Sequence, residues 1–589
     1  MGGIKLKKLP YGISNYEELI TENYYYVDKT KYIEKLENLP EKRIMILRPR
    51  KFGKTLFTSM LEYYYDIKQK DKFEKLFGET YIGQNPTKLK NSYHILRFNF
   101  SGISTQTEQD TINEFRNSVA VSIRDFVHTY NMDFFVNLEQ SAEDMLNSVF
   151  EAFKYQKSGE KIYVIIDEYD HFANELLGFH TQQFKEIVSR NGKLRKWYEI
   201  LKKGTETVVD RIFITGVAPV TMDSTTSGFN IAKDLSKSFN FNNMFGFTKE
   251  EVIEIMNTVE IPKEKQKEML PIIKENYDGY IFSNKISDNI ENYRLYNSNM
   301  TFYFLNEYLE NNKKIPEQLL DPNIASDYGK IKGLLDLCKG KEKMTILEKI
   351  VSGDLIDSEL TEKFNAEIGF EEKELVSLLY YLGYLTIIKN EFGVLQFASP
   401  NSVIKKLYTD YYFEYIKEIA KVEGLLPIRD ITTEIFLQGN IDTIIELLGK
   451  YLTNLSNRDY SKFSEKYVKV IFYTLARTVG TMIVKSELEI GGDYADIILL
   501  PKEKLEERYG VLIEFKYIKQ EDYDKDKSLL LQKQEEAKEQ VIRYMQTEEI
   551  KQIPKLKCYT VVAVKDKLFV ENIDWKCIAY ICKKKLVKK

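Results

Sequence analysis

Cysteine, histidine and tryptophan are scarce in this chain: four, four and two among 589 residues. Cys338, Cys558, Cys577 and Cys582 show no Cys-x-x-Cys spacing, and no histidine accompanies them at zinc-ligand spacing. That excludes a structural zinc site and points to a reduced, cytoplasmic protein without a disulfide framework. Any metal must then be held by oxygen ligands. No apolar run approaches the roughly 18 residues of a spanning helix. The longest, such as Ile162–Ile166 and Ile497–Leu500, are strand-sized, so no membrane partner is expected. The start, MGGIKLKKLPYG, lacks the apolar stretch of a secretory signal, and Leu6 stands where a myristoylation signal takes Ser or Thr. Internal repeats and Pro- or Gly-rich linkers are also missing.

What is present is an ordinary globular composition, 43% hydrophobic and 30% charged, with 41 Tyr and 34 Phe to fill cores. At roughly 150 residues per domain the length allows about three or four domains. The net charge of −4 is uneven: from Tyr451 onward the chain has 27 basic and 22 acidic residues, a net +5. Lys583, Lys584, Lys585, Lys588 and Lys589 supply that excess, as a solvated terminus or as a contact to a phosphate backbone.

The first half alternates apolar strand-sized runs with helical stretches. Arg43–Leu47, His94–Phe100, Lys161–Ile166 and Asp210–Thr215 read as strands, with helices at Thr55–Tyr65 and Lys193–Lys203. This alternation implies a parallel sheet between helices, an α/β fold. Residues 248–309 read as amphipathic helices. Met344–Tyr384 reads as three short helices, followed by a hairpin over Leu385–Phe397, a winged-helix-like grouping. Helices continue from Ser402 to about Leu455. A last α/β segment follows, with a helix at Phe463–Thr478 and strands at Met482–Glu489, Tyr494–Leu500 and Val511–Tyr517. A polar helix at Ser528–Met545 and strands at Cys558–Val564 and Ile578–Cys582 complete it.

Between the first strand and its helix lies Arg48-Pro49-Arg50-Lys51-Phe52-Gly53-Lys54-Thr55. A phosphate-binding loop needs backbone N–H groups at a helix N-terminus, a lysine for the β/γ oxygens and a hydroxyl for Mg²⁺. Gly53, Lys54 and Thr55 meet those needs, although Arg48 replaces the first glycine of the general pattern. Ile162–Ile166 ends in Asp167-Glu168. There Asp167 would hold Mg²⁺ through water and Glu168 would orient or deprotonate the attacking water. Thr215-Gly216, closing another strand, offers either a polar sensor of the γ-phosphate or a plain turn.

This loop resembles the RPRxxGKT loop of the bacterial AAA-ATPase-like family. Leu9-Pro10-Tyr11-Gly12, Tyr26-Val27-Asp28-Lys29-Thr30, Gly228-Phe229-Asn230-Ile231-Ala232 and Tyr277-Asp278-Gly279-Tyr280 resemble further stretches of it, over about residues 4–297. The resemblance implies ATP bound by Arg48–Thr55, Asp167 and Thr215, with a helical lid. Arg294-Leu295-Tyr296-Asn297 resembles the family's YNP stretch with Ser298 in place of Pro. Arg211 and Arg294 are the candidates for an arginine that completes hydrolysis.

In the last segment Asp496 lies on one strand and Glu514-Phe515-Lys516 on the next. Glu514 and Lys516, two apart, share a face, and an antiparallel neighbour brings Asp496 beside them. Two carboxylates can hold Mg²⁺ against a phosphodiester, and the lysine can place water or stabilise developing charge. Glu-x-Lys also occurs at Glu371/Lys373 and Glu536/Lys538, in polar helical surroundings; the apolar strand distinguishes Glu514. Exposed charges on an edge strand would give the same string. The segment resembles a PD-(D/E)XK nuclease domain through Ser486-Glu487, Gly491–Asp496 and Ile513–Lys516. From that resemblance come Glu465 as a further metal ligand and Gln540 and Tyr544 as motif residues; Tyr494 replaces the usual basic residue.

The expected organisation is an ATPase core over 1–245 and a helical lid over 246–330. A helical, partly winged-helix-like region then spans 331–455, and a restriction-endonuclease-like α/β domain spans 456–589. The expected function is an ATPase controlling a Mg²⁺-dependent nuclease, on DNA rather than RNA, with homo-oligomerisation left open. The alternative is a nucleotide-dependent switch whose nuclease-like domain binds nucleic acid without cutting. A toxin or phage-defence role would fit either chemistry.

Overall fold

The computed structural model describes residues 7–103, 106–171, 193–219, 232–285, 290–322, 331, 333–335, 341–361, 364, 371–391, 393–420, 426–455, 464–490, 493–501, 508–553 and 555–573. The chain forms two compact units, Met1–Ile346 with Leu355–Ile404, and Leu347–Asp354 with Lys405–Lys589.

The first unit is built on five parallel strands: β1 (Arg43–Leu47), β2 (His94–Asn99), β3 (Ile162–Asp167), β4 (Val209–Gly216) and β5 (Lys233–Asp234), in the order β2-β3-β4-β1-β5. Every residue of β3 is buried. A strand covered by helices on both faces has no solvent side, so its sequence is continuously apolar rather than alternating. Phe57, Met60, Leu61, Tyr64 and Tyr65 of the helix Lys54–Tyr65 pack with Ile44, Ile46, Tyr163, Ile165 and Phe213 of the sheet. Elsewhere Phe98, Phe100 and Phe115 surround Trp197 edge-on at centroid distances of 4.9–5.7 Å. The segment after the sheet has its own core across helices Lys249–Thr258, Lys263–Tyr277 and Ser298–Glu310. The first of these starts with a capping box between Thr248 and Glu251, and Lys29 pairs with the same Glu251 at 2.6 Å.

The winged-helix-like region differs from its expected layout. Among the described residues, Met344–Tyr384 holds helices Lys341–Ser352 and Glu372–Tyr381 with a short strand, β6 (Ile356–Ser358), between them. β6 joins the hairpin of β7 (Thr386–Glu391) and β8 (Val394–Ala398) as a three-stranded sheet ordered β6-β8-β7. Residues 331–455 do not form one body either. Residues 355–404 belong to the first unit, whereas residues 405–455 belong to the second. The reason lies in the bonds that hold 355–404 in place. Thr386 Oγ1 accepts from Ile281 N at 3.0 Å, Tyr380 donates to the Phe282 carbonyl at 3.1 Å, and Asn401 donates to the Asp278 carbonyl at 3.0 Å. Gly383, at φ +83°, lies against the phosphate loop; a Cβ there would sit 2.8 Å from the Pro49 Cβ.

The second unit carries the sheet β13-β12-β11-β10-β9, with β9 (Met482–Ile490), β10 (Asp493–Pro501), β11 (Gly510–Ile518), β12 (Leu556–Val564) and β13 (Lys567–Ile573). Only β11 and β12 run parallel. Phe515 packs on Phe472 of the helix Glu465–Val479, while Leu512 and Ile498 meet Val541, Tyr544 and Met545 of the helix Ser528–Met545. The expected strand Ile578–Cys582, the lysine-rich end and Gly228–Ile231 lie outside the described residues.

Candidate nucleotide pocket and nuclease-like centre

Parallel α/β sheets present their ligand crevice at the carboxyl ends of the strands, and β1, β3 and β4 all deliver candidate residues there. After β1 the backbone turns through left-handed φ values of +68° at Lys51 and +91° at Gly53, and Gly53 caps the helix that Lys54 opens. A cavity of about 540 Å³ opens at this helix N-terminus, lined by Arg50–Thr55, Glu168 and His171. Its size suits a small-molecule ligand, and its backbone amides suit an anion.

Lys54 is buried; its Nζ donates to the carbonyls of Arg48 at 2.9 Å and Pro49 at 3.0 Å. Burial holds its pKa below the usual lysine value. Asp167 is fully buried, accepting from Thr215 Oγ1 at 2.6 Å and Thr58 Oγ1 at 3.3 Å, with Arg97 Nη2 at 3.7 Å. Thr58 thus meets Asp167, while Thr55, one turn earlier, lines the cavity. Glu168 has a left-handed φ of +52° and places Oε2 3.3 Å from His171 Nδ1. Gly216 is required where β4 ends: a Cβ would lie 2.3 Å from Asp170 Oδ1 and 2.4 Å from the Tyr169 ring. Asp170 in turn accepts from the Val217 and Ala218 amides at 2.6–3.0 Å.

Three arginines stand elsewhere than expected. The Arg48 guanidinium is turned into the core and donates to the carbonyls of Leu47, Ser236 and Phe241 at 2.8–2.9 Å, over the Phe282 ring at 4.2 Å. It does not face the cavity, and neither does Pro49. The missing first glycine of the loop is therefore a structural arginine. Arg211 sits among Tyr65, Tyr93 and Tyr163, and Arg294 pairs with Glu291 at 3.1 Å; neither lines the cavity.

In the second unit the expected residues meet across β10 and β11. Lys516 Nζ donates to Glu514 Oε1 at 2.9 Å and lies 3.9 Å from Glu465 Oε1. Asp496 Oδ2 accepts the Phe515 amide at 2.7 Å, and Oδ1 accepts Lys469 Nζ at 2.8 Å. Burial, then the charge of Asp496, pushes the Glu514 carboxyl up to about 7. Burial raises Glu465 as well. Burial opposes the Lys516 ammonium, but Glu514, Glu465 and Asp496 outweigh it and lift its pKa. Glu514 Oε2 and Gln540 Oε1 are buried without hydrogen-bond partners. So is Oγ1 of Thr560, the residue opposite Glu514 on β12. Tyr544, one turn after Gln540, braces β10 through its hydroxyl on the Tyr494 carbonyl at 2.7 Å.

Among the described residues no three acidic, histidine or cysteine groups are close enough to form a metal cage. Two carboxylates and an unpaired buried oxygen nevertheless fit a divalent cation, whose remaining positions would go to water and substrate. Lys469, Thr560, Arg97 and His171 were not visible as site residues in the sequence. Lys469 had a signal, since it follows Glu465 by one helical turn.

Residues 10–226 match the family described as "Predicted AAA-ATPase", and residues 463–573 match the PD-(D/E)XK nuclease superfamily. The chain fuses an AAA-ATPase-like domain to a PD-(D/E)XK nuclease-superfamily domain. It is also similar to an "Uncharacterized protein in vnfD 5'region" of Azotobacter chroococcum mcd 1, 27% identical over 284 residues, which is 46% of this chain and 48% of the relative. The match thus spans about half the length of that relative. No helix among the described residues is long and apolar enough to cross a membrane. In this fusion the AAA-ATPase-like domain contains the cavity at Arg50–Thr55, and the nuclease-superfamily domain contains Asp496, Glu514 and Lys516.

Proposed function

We propose that the chain hydrolyses ATP in the P-loop cavity and uses it to control Mg²⁺-dependent phosphodiester cleavage, of DNA rather than RNA, by the C-terminal domain. The observation that carries this reading is the convergence of Asp496, Glu514 and Lys516, with a buried carboxylate oxygen of Glu514 left unpaired. A buried acid of this kind costs stability unless a cation or proton satisfies it, so a purely structural domain has no use for it. Asp496 and Glu514 would hold the cation, which when bound polarises the phosphodiester and acidifies its water. Lys516 would orient that water or stabilise the charge developing on phosphate. In the ATPase domain Lys54 leaves its loop carbonyls for the terminal phosphates, and Thr55 and Asp167 would serve Mg²⁺. Glu168 takes the proton of the attacking water, and Thr215 keeps Asp167 oriented. We place the protein in the cytoplasm, acting as a single chain or as a homo-oligomer.

A second reading, a nucleotide-dependent switch that binds nucleic acid without cutting it, draws on Lys469, which occupies one oxygen of Asp496. Cleavage of plasmid, linear duplex, single-stranded DNA and RNA with Mg²⁺, with and without ATP, separates the two. Cutting lost in Lys516→Ala, and responsive to ATP only with Lys54 intact, supports the gated nuclease. No cutting of any substrate, with ATP turnover still lost in Lys54→Ala, supports the switch.

A further inference from the structure

Hydrolysis of ATP concentrates negative charge on the transferring phosphoryl group, and P-loop enzymes answer it with an arginine from the same chain or a partner. Arg48, Arg211 and Arg294 are committed elsewhere, and Arg97 is held by Glu62 at 2.8 Å. Arg50 differs: it lines the cavity together with Lys54 and Glu168. Its Nη2 lies 3.2 Å from His171 Nδ1, the nitrogen that is 3.3 Å from Glu168 Oε2. Arg50, His171 and Glu168 thus form a chain of contacts from the phosphate loop to the strand that carries the candidate base. Arg50 is also close enough to Lys54 for its charge to disfavour the ammonium. Two cations converging on one cavity are suited to a polyanion.

We propose that Arg50 supplies the catalytic positive charge to the γ-phosphate from within the chain's own P-loop, so that no arginine from a second subunit is needed. This rests on the ATPase reading above. As the oxygen of water bonds to the γ-phosphorus, the bond to the β–γ bridging oxygen breaks. The electron pair leaves on ADP, the water proton passes to Glu168, and Arg50 exchanges no proton. The fork of the guanidinium spans two phosphoryl oxygens, which a lysine ammonium does not. His171 holds Arg50 on the Glu168 side of the cavity.

The test uses the full chain as wild type, Arg50→Ala, Arg50→Lys and Lys54→Ala, each checked for an unchanged thermal melt. Single-turnover ATP hydrolysis is compared with equilibrium binding of ATP, ADP and ADP–aluminium fluoride. Arg50→Ala is expected to slow hydrolysis roughly 10³-fold or more while ATP and ADP affinities move less than about tenfold. Its affinity for ADP–aluminium fluoride falls much further, and Arg50→Lys recovers only part of the loss. An equimolar mixture of Arg50→Ala and Lys54→Ala chains stays inactive. Recovered turnover in that mixture would place the arginine in trans and overturn the proposal, as would wild-type turnover by Arg50→Ala. If wild type neither binds nor hydrolyses ATP, the ATPase reading itself fails and takes this assignment with it.

Discussion

Replacing Arg48 separates a structural arginine from a phosphate ligand. Arg48 is 1% exposed, and its guanidinium makes three hydrogen bonds to main-chain carbonyls, at 2.8, 2.8 and 2.9 Å. Arg48→Met keeps much of the volume but leaves those carbonyls without their donors, at about 1–3 kcal/mol each. Loss of the Phe282 contact adds about 1 kcal/mol. Against this, the substitution removes a buried charge. Burial has lowered the arginine to about 10 from 12.5, which corresponds to about 3 kcal/mol returned. The net expectation is a destabilisation of about 1–7 kcal/mol. Trp197, fully buried in the first unit, reports it by fluorescence in a denaturant titration, with Trp575→Phe removing the second signal. The midpoint of the first unit should fall, while the folded protein at low temperature keeps its affinity for a fluorescent ATP analogue within about threefold, or roughly 0.6 kcal/mol. An unchanged midpoint with affinity lost tenfold or more would mean that Arg48 holds phosphate, and the core assignment would be wrong.

Four further expectations rest on the same geometry. Because the folded pKa of Glu514 lies above its unfolded value of 4.5, the folded state binds the extra proton between pH 4.5 and about 7, and metal-free stability falls as pH rises through that window. Glu514→Gln should therefore raise the melting temperature at pH 8 in chelator, by up to about 3 kcal/mol of stability, and leave it nearly unchanged at pH 4. Mn²⁺ binding measured by calorimetry should tighten roughly tenfold from pH 6 to pH 8 in wild type, with release of a proton; equal affinity at both would remove Glu514 as a ligand. Lys469→Met, which frees Asp496 Oδ1 from a cation 2.8 Å away, should tighten Mn²⁺ roughly tenfold, and weaker binding would contradict a competing role. Gly216→Ala should cost about 1–3 kcal/mol in thermal melts and slow ATP turnover, because Asp170 and Tyr169 leave no room for a Cβ.

The parts of this molecule that were legible in sequence share one property: their signal is local. β1 to β4 were bounded to within a residue or two because a strand buried on both faces writes its burial into consecutive residues. Glu514 and Lys516 were legible as a pair because the period of a strand places them on one face. β5 was not, since Lys233-Asp234 are exposed and join the sheet through β1 alone. β6 was missed for the same reason, three residues pairing with a strand 37 or more positions later. β13 alternates only weakly in burial.

Arg48 shows why a motif position can still be misread. The deviation from glycine was visible, but its meaning depends on the carbonyls of Ser236 and Phe241, 188 and 193 residues away. Lys469 poses the same difficulty at the nuclease-like centre, since its partner Asp496 lies 27 residues later on a different element. In each case the local pattern identifies where charge is concentrated, and only the tertiary fold decides whether a given cation serves the core or the ligand. Arg48 and Arg50 make that distinction within three residues of one loop: the same side chain, on the same turn, closes the core at one position and lines the cavity at the other.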